Sequence, residues 1–324
     1  MKCIVIDEFG PPAKVLHTVD RPVPEPGPGQ VRMRLVLAPM HNHNLSTIAG
    51  RYGERPPLPH YPGTEALGVI DKLGEGVAGL QVGQRVTGQA ISTWAESYVG
   101  AAEAQTVVTE GIDDATACQL TSMPRSAVRV LLEMDVHPGD WIAQNAANGA
   151  VGKVLARIAA ERGIRVLNVV RRDAAVAELA AEGIGEAVST EQPGWQERAL
   201  AITGGAPIRR VLDSVGGTSS DELMSLLAEE GWLIYFGALS GKPLQASPPN
   251  LLYKRATIKG FWGARPSSIV SPQQMRDEMA KLVASAAAGR LRLPVSRVFD
   301  LDHPAEAAAA HSVPGRGGKI AFRP

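Results

Sequence analysis

Gln144-Asn145-Ala146-Ala147-Asn148-Gly149-Ala150-Val151-Gly152 stands where an apolar run hands over to an amphipathic one. Residues 141–144 read as a strand. Residues 150–162 read as a helix, with Val151, Val154, Leu155, Ile158 and Ala159 on one stripe and Gly163 as its stop. A turn of this kind has a physical use. Gly149 lets the backbone approach a pyrophosphate. The helix N-terminus offers unpaired N–H groups and the positive end of its dipole, and Gly152 lets the helix pack close to the strand. Ala147 occupies the first glycine position of the G-x-G-x-x-G fingerprint, so the match is incomplete. A plain strand-to-helix turn is the bland alternative. The surrounding sequence favours a dinucleotide, because about five βα repeats enclose the turn.

Working outward, strands are expected over 166–170, 210–213 and 232–236, with one more over 256–262. Helices are expected over about 174–182, closed by Gly183, and from 219 to about 230, closed by Gly231. Strands apolar on both faces belong in a parallel sheet covered by helices. Arg171 and Arg172 directly follow the second strand. Two guanidiniums there suit an adenosine 2′-phosphate through forked, charge-assisted hydrogen bonds, which points to NADPH, while Asp173 keeps NAD open. The first 110 residues are rich in Gly and Pro between short apolar runs. Residues 31–37 alternate as a half-buried strand should, and 22–29 can be neither helix nor central strand. Residues 113–132 read as mostly helical, interrupted at Pro124. Beyond 265 a helix over about 272–288, a strand over 295–299, an alanine-rich helix over 303–311 and a last strand over 319–322 are expected. This tail is too small to stand alone and is expected to pack back on the N-terminal β unit.

Composition removes several function classes. The 324 residues carry 33 Lys+Arg and 33 Asp+Glu, a formal net charge of zero, which offers no basic footprint for nucleic acid. Two cysteines, Cys3 and Cys118, exclude a disulfide framework and a four-cysteine zinc knot. No run of about 18 apolar residues exists to span a membrane, and the first residues lack a signal-peptide core. A cytoplasmic protein is the expectation.

With these segments in place the chain resembles the medium-chain dehydrogenase/reductase superfamily over nearly its whole length. The likeness rests on Pro62-Gly63-Thr64-Glu65-Ala66-Leu67-Gly68-Val69, Gly74-Glu75-Gly76-Val77, Leu80 to Val86 and His137-Pro138-Gly139-Asp140-Trp141, in the family's order. Within it the chain is most similar to 2-enoyl-thioester reductases. That rests on Ile48 to Gly53, Gln144 to Asn148, Asn168 to Arg171, Ser214-Val215-Gly216-Gly217 and Lys259-Gly260-Phe261-Trp262. The resemblance implies an α/β architecture: a β-rich GroES-like catalytic domain over 1–118, a Rossmann doubly wound parallel-sheet NADP(H) domain over 119–264, and a segment over 265–324 returning to the first. The active site would lie in the cleft between the two domains.

The resemblance also implies roles. Tyr52 falls on the catalytic tyrosine. Asn148, Gly149, Ala150 and Val151 fall on the pyrophosphate turn, and Arg171 and Arg172 at the 2′-phosphate. Phe236, Gly237, Ala238 and Leu239, with Phe261, Trp262 and Gly263, fall on segments lining the nicotinamide, and Lys319 on a cofactor-contacting lysine. His41, Asn44 and Trp262 are placed in the substrate pocket. Three positions depart from the family: Met123 for a polar residue, Ala150 for a glycine, and His41-Asn42-His43-Asn44 for an Asn-Pro-Ser-Asp-like run.

Zinc-dependent relatives carry a cysteine in the loop holding His41 and a Gly-His-Glu where this chain has Gly63-Thr64-Glu65, so their ligand pair is absent. His41 and His43 could still bind metal with Glu65; hydrogen-bonded pocket histidines are the favoured reading, and no metal is expected. The expected reaction is NADPH-dependent reduction of the C=C bond of an α,β-unsaturated acyl thioester, carried on CoA or acyl carrier protein. Tyr52 would supply a proton or hydrogen bond to the enolate. A quinone or enone reductase is the runner-up, and a non-enzymatic cofactor-binding or RNA-binding relative is third. The exposed edge strand over 256–262 is expected to pair with a second subunit, giving a homodimer.

Overall fold

The computed structural model describes residues 1–265 and 268–324. Backbone contacts divide the chain into two compact units, Met1–Met123 with Ala280–Pro324, and Pro124–Met279. The fifteen strands of the described residues are β1 (Lys2–Val5), β2 (His17–Asp20), β3 (Gln30–Pro39), β4 (Glu65–Leu73), β5 (Arg85–Gln89), β6 (Ser97–Ala101), β7 (Gln105–Val107), β8 (Trp141–Gln144), β9 (Arg165–Val170), β10 (Ala187–Ser189), β11 (Ile208–Asp213), β12 (Leu227–Tyr235), β13 (Thr257–Gly260), β14 (Val295–Asp300) and β15 (Lys319–Arg323).

In the second unit six strands form one parallel sheet in the order β10-β9-β8-β11-β12-β13. Counted from β8, this is the doubly wound order 3-2-1-4-5-6, which reverses direction between β8 and β11. The loops at the carboxyl ends of those two strands therefore diverge and leave a crevice. The apolar core on this sheet includes Trp141, Ala143, Leu167, Val169, Val211, Leu223, Met224 and Leu233. Helices Ala150–Glu161, Asp173–Ala181, Trp195–Thr203 and Thr218–Leu226 cover it.

The first unit is built on the path β14-β15-β3-β4-β5-β7, with β6 also paired to β3. Its core packs Ile4, Ile6, Met33, Ile70, Trp94, Tyr98 and Phe322. Trp94 and Tyr98 are thus core residues. Late in the chain β15 pairs antiparallel with β3, at Ala321↔Pro39 and Phe322↔Ala38, and the part of the chain that clusters with the first unit begins at Ala280. The β3–β4 pairing fixes the site. Leu37 lies opposite Leu67, so the segment leaving β3 and the segment entering β4 meet at one end of the sheet.

Two expectations need correcting. The helix expected to run to about Glu230 stops at Leu226, and β12 begins at Leu227. Leu227 pairs with Ile208, and Glu230 adopts a left-handed φ of 58°; sheet pairing outweighs local helical propensity. Residues 113–132 are two helices, Asp114–Ala117 and Met123–Glu133, with Pro124 in the first turn of the second, where its missing N–H costs nothing. The strand Ala187–Ser189 and the helix Trp195–Thr203 were not foreseen.

Candidate active site

At the β3–β4 end, His41 and Glu65 form a pair with no side-chain exposure, Nε2 to Oε1 at 2.6 Å. The other oxygen of Glu65 accepts from the Thr121 amide at 3.0 Å, the Thr121 hydroxyl at 2.5 Å and the Ser122 amide at 2.7 Å. Three donors on one oxygen favour the carboxylate, which assigns the shared proton to His41 Nε2 and leaves Nδ1 a buried acceptor without a partner among the described residues. Burial nevertheless pushes the Glu65 carboxyl up to about 7, against these hydrogen bonds. Burial, with a contribution from Lys319, holds His41 neutral.

The next turn of chain carries the rest. Asn44 is buried, and its Oδ1 accepts from the His41 amide at 2.9 Å, which closes the start of helix Asn42–Ile48. Thr64 Oγ1 lies 2.9 Å from His43 Nε2 and 3.3 Å from Asn44 Nδ2. His43 stacks on His41 with ring centroids 5.2 Å apart and faces Tyr52 at 6.1 Å. Tyr52 sits in a loop pinned by two amides, Arg51 and Tyr52, donating to Ser46 O at 2.8 and 3.1 Å. Lys319, at the start of β15, belongs to the same neighbourhood. Burial and then Arg316 lower it to about 8, while Glu65 pulls it back up. His311 is buried, and its Nε2 has no partner among the described residues. Among the described residues, no group of three His, Cys, Asp or Glu side chains could hold a metal ion.

The second unit holds the glycine-rich turn. Gly149 is the exposed N-cap of Ala150–Glu161 and has no side-chain cap, so the amides of the first turn, at Ala150, Val151 and Gly152, face outward without intrahelical acceptors. A methyl group on Gly152 would lie 2.6 Å from Ala147 O. Only glycine lets the helix sit this close to the turn. Asn148 is exposed, and Ala146 turns the chain with φ 49°. This cradle fits a pyrophosphate.

A hydrogen-bond network not read from the sequence ties the ends of β8 and β11 together. Asn145 Nδ2 donates to Asp213 Oδ1 at 2.6 Å, and its Oδ1 accepts from the Ser214 amide at 2.7 Å. Buried Asp213 also accepts from the amides of Val215 and Gly216 and from the Ser220 hydroxyl. Gln144 ties Gly152 O to Asn168 Oδ1, at 2.8 Å each. The signal was present: three polar residues at the ends of apolar strands need buried partners.

Arg171 is exposed beyond the end of β9 and has no partner among the described residues, while Arg172 reaches Glu178 at 3.4 Å. Phe236 and Phe261 stack at 5.4 Å, and together with Tyr235, Gly237, Ala238, Gly260 and Trp262 they line a cavity of about 370 Å³. Leu239 and Gly263 are exposed beside these segments.

Comparison with known proteins agrees across both units. The alcohol dehydrogenase GroES-like domain family matches residues 27–129, and the zinc-binding dehydrogenase family matches residues 150–285. The mitochondrial enoyl-[acyl-carrier-protein] reductase of Bos taurus is 30% identical over 301 residues, 91% of this chain and 81% of the relative. Two solved structures share the fold over the whole chain. The Escherichia coli quinone oxidoreductase complexed with NADPH has a TM-score of 0.86 at 21% identity, covering 100% of each chain. The Etr1p complex with NADP and crotonyl-CoA has a TM-score of 0.85 at 21% identity, covering 100% of this chain and 99% of that one. No helix among the described residues is long and apolar enough to cross a membrane.

Proposed function

Because the chain belongs to the zinc-independent medium-chain dehydrogenase/reductase superfamily, we propose that it is an NADPH-dependent reductase of α,β-unsaturated acyl thioesters. The likeness to the bovine enoyl reductase over 91% of this chain carries this reading. When bound, NADPH supplies a hydride to the β-carbon of the conjugated double bond. The remaining work belongs to the chain. The amides at Ala150 and Val151, with Asn148 and the side-chain-free backbone of Gly149, receive the pyrophosphate. Arg171, with Arg172, pairs with the 2′-phosphate. Phe236, Gly237, Ala238 and Leu239, and Phe261, Trp262 and Gly263, form the wall against the nicotinamide, and Lys319 contacts the cofactor. As the hydride arrives, charge builds on the thioester oxygen. Tyr52 Oη–H stabilises that oxygen and then supplies the proton that ends on the α-carbon. His41 and Asn44 act from beneath the pocket by fixing the segment around His43.

The test is NADPH oxidation with crotonyl-, hexenoyl- and longer enoyl-CoA, run beside a quinone and enone panel. Turnover of enoyl thioesters is expected. Turnover of quinones alone would replace this reading with the quinone reductase one. In the same assay Arg171→Ala is expected to raise KM for NADPH by about tenfold or more, the size of one lost charge-assisted hydrogen bond, with KM for NADH unchanged. Equal losses for the two cofactors would remove Arg171 from the 2′-phosphate.

We also propose a homodimer through β13, the outer strand of the parallel sheet. The turn before it exposes Leu252 and Tyr253, and an uncovered edge of this kind invites pairing. Light scattering is expected to give twice the chain mass; the monomer mass would refute it.

A further inference from the structure

His43 occupies a position that the superfamily resemblance does not explain, and its hydrogen bonds specify which ring nitrogen carries the proton. Asn44 Oδ1 accepts from the His41 amide, so the orientation of the Asn44 amide is fixed and Nδ2 is the group that donates to Thr64 Oγ1. The Thr64 hydroxyl still has one proton to give. Among the described residues, its acceptor is His43 Nε2 at 2.9 Å. The reverse assignment, with His43 donating, strands the hydroxyl proton without a partner. Nε2 is therefore the acceptor and Nδ1 carries the hydrogen. Nδ1 has no partner in the described residues, and His43 is half-buried. It belongs to the ring that faces Tyr52 at 6.1 Å.

We propose that His43, locked by Thr64 in its Nδ1–H form, is a second hydrogen-bond donor of the Tyr52 site, placed to hold the acceptor's oxygen as that oxygen gains charge. The identity of the oxygen rests on the reductase reading above; the tautomer does not. A neutral imidazole suits this work, because it polarises a carbonyl without competing with Tyr52 for the role of acid. Burial, reinforced by His41, keeps His43 neutral by lowering it to about 3. His41 and Glu65 then serve as its platform: the stacked His41 ring fixes the plane of His43, and Glu65 fixes His41.

The full chain labelled with 15N in its histidines gives a direct readout. Ring 15N–1H correlation is expected to show the His43 proton on Nδ1. Thr64→Val, which keeps the shape and removes the hydroxyl, is expected to shift the population toward Nε2–H, and Thr64→Ser to restore it. A His43 proton on Nε2 in the unmodified protein overturns the proposal. Kinetics give the second arm. His43→Leu is expected to lower kcat about 10²-fold, the effect of one lost oxyanion donor, with KM little changed. His43→Asn, whose amide nitrogen can stand near the place of Nδ1, is expected to keep kcat within about tenfold of the unmodified protein. A His43→Leu variant with undiminished kcat overturns the catalytic part. If the unmodified protein turns over no enoyl thioester, enone or quinone, the reductase reading fails by itself, and the tautomer measurement still decides whether the donor exists.

Discussion

Replacing Tyr52 by phenylalanine is expected to lower kcat for an enoyl thioester by about 10²–10⁴-fold, the range for loss of a positioned proton donor, with KM for NADPH unchanged. The substitution leaves the bonds that hold the loop's backbone in place. The loop is held by two main-chain bonds, from the Arg51 and Tyr52 amides to Ser46 O, and by a side-chain bond from Arg55 Nε to Gly50 O at 2.9 Å. Gly50 turns the chain at φ 68°, and a methyl group there would press on Phe9 Cβ at 3.1 Å. Phenylalanine keeps all of these features. What disappears is one O–H directed at a developing charge, and that loss registers in kcat more than in ground-state binding. A Tyr52→Phe protein with kcat within about threefold of the unmodified one, and with the same thermal midpoint, would remove Tyr52 from the chemistry. Quinone turnover unaffected by the same substitution, beside lost enoyl turnover, would mean that two acceptor classes use the site differently.

The glycine-rich turn could be read from sequence because its information is local. A strand, a turn and an amphipathic helix lie within about twenty consecutive residues, and each has its own periodicity. The structure places β8 at Trp141–Gln144 and the helix at Ala150–Glu161, close to the expected ranges. The error at Leu227–Glu230 has the opposite origin. Those residues suit a helix taken alone, and only the pairing of Leu227 with Ile208 draws them into the sheet. The Tyr52 neighbourhood is harder still. His43 and Thr64 are 21 residues apart, and His41 and Glu65 are 24 apart; their meeting depends on the antiparallel register of β3 on β4. Periodicity reveals that two strands exist but not which residues beyond their ends will touch. Spacing alone could suggest His41, His43 and Glu65 as metal ligands. Only the geometry shows that the Glu65 oxygens are committed to His41, Thr121 and Ser122.

That dependence on β4 makes Gly63→Ala a strongly disruptive single methyl group for the first unit and for its site. Gly63 adopts φ 103°, a conformation that L side chains rarely take, and its added carbon would lie 2.4 Å from Thr93 Oγ1, 2.7 Å from the Trp94 amide nitrogen and 2.8 Å from the Thr93 amide nitrogen. Two of these neighbours are backbone, so no rotamer change relieves the clash. Strain of about 1–3 kcal/mol in the backbone and about 1–3 kcal/mol from overpacking give an expected loss of about 2–6 kcal/mol, read as a lower urea midpoint for the first unit. Gly76→Ala provides the contrast. Its φ is 75° and nothing lies within 4 Å of the added carbon, so it carries the backbone cost alone. Equal midpoints for the two variants would refute the packing argument. The same displacement reaches the chemistry, because the clash pushes against the anchors of β4's first residues. Trp94 N donates to Pro62 O at 3.3 Å, Ala90 N to Thr64 O at 3.2 Å, and Thr93 Oγ1 to Glu65 O at 2.9 Å. A shift of Thr64 and Glu65 uncouples His43 and His41 together. Gly63→Ala protein that remains folded at low temperature is therefore expected to lose kcat as well, while Gly76→Ala retains it.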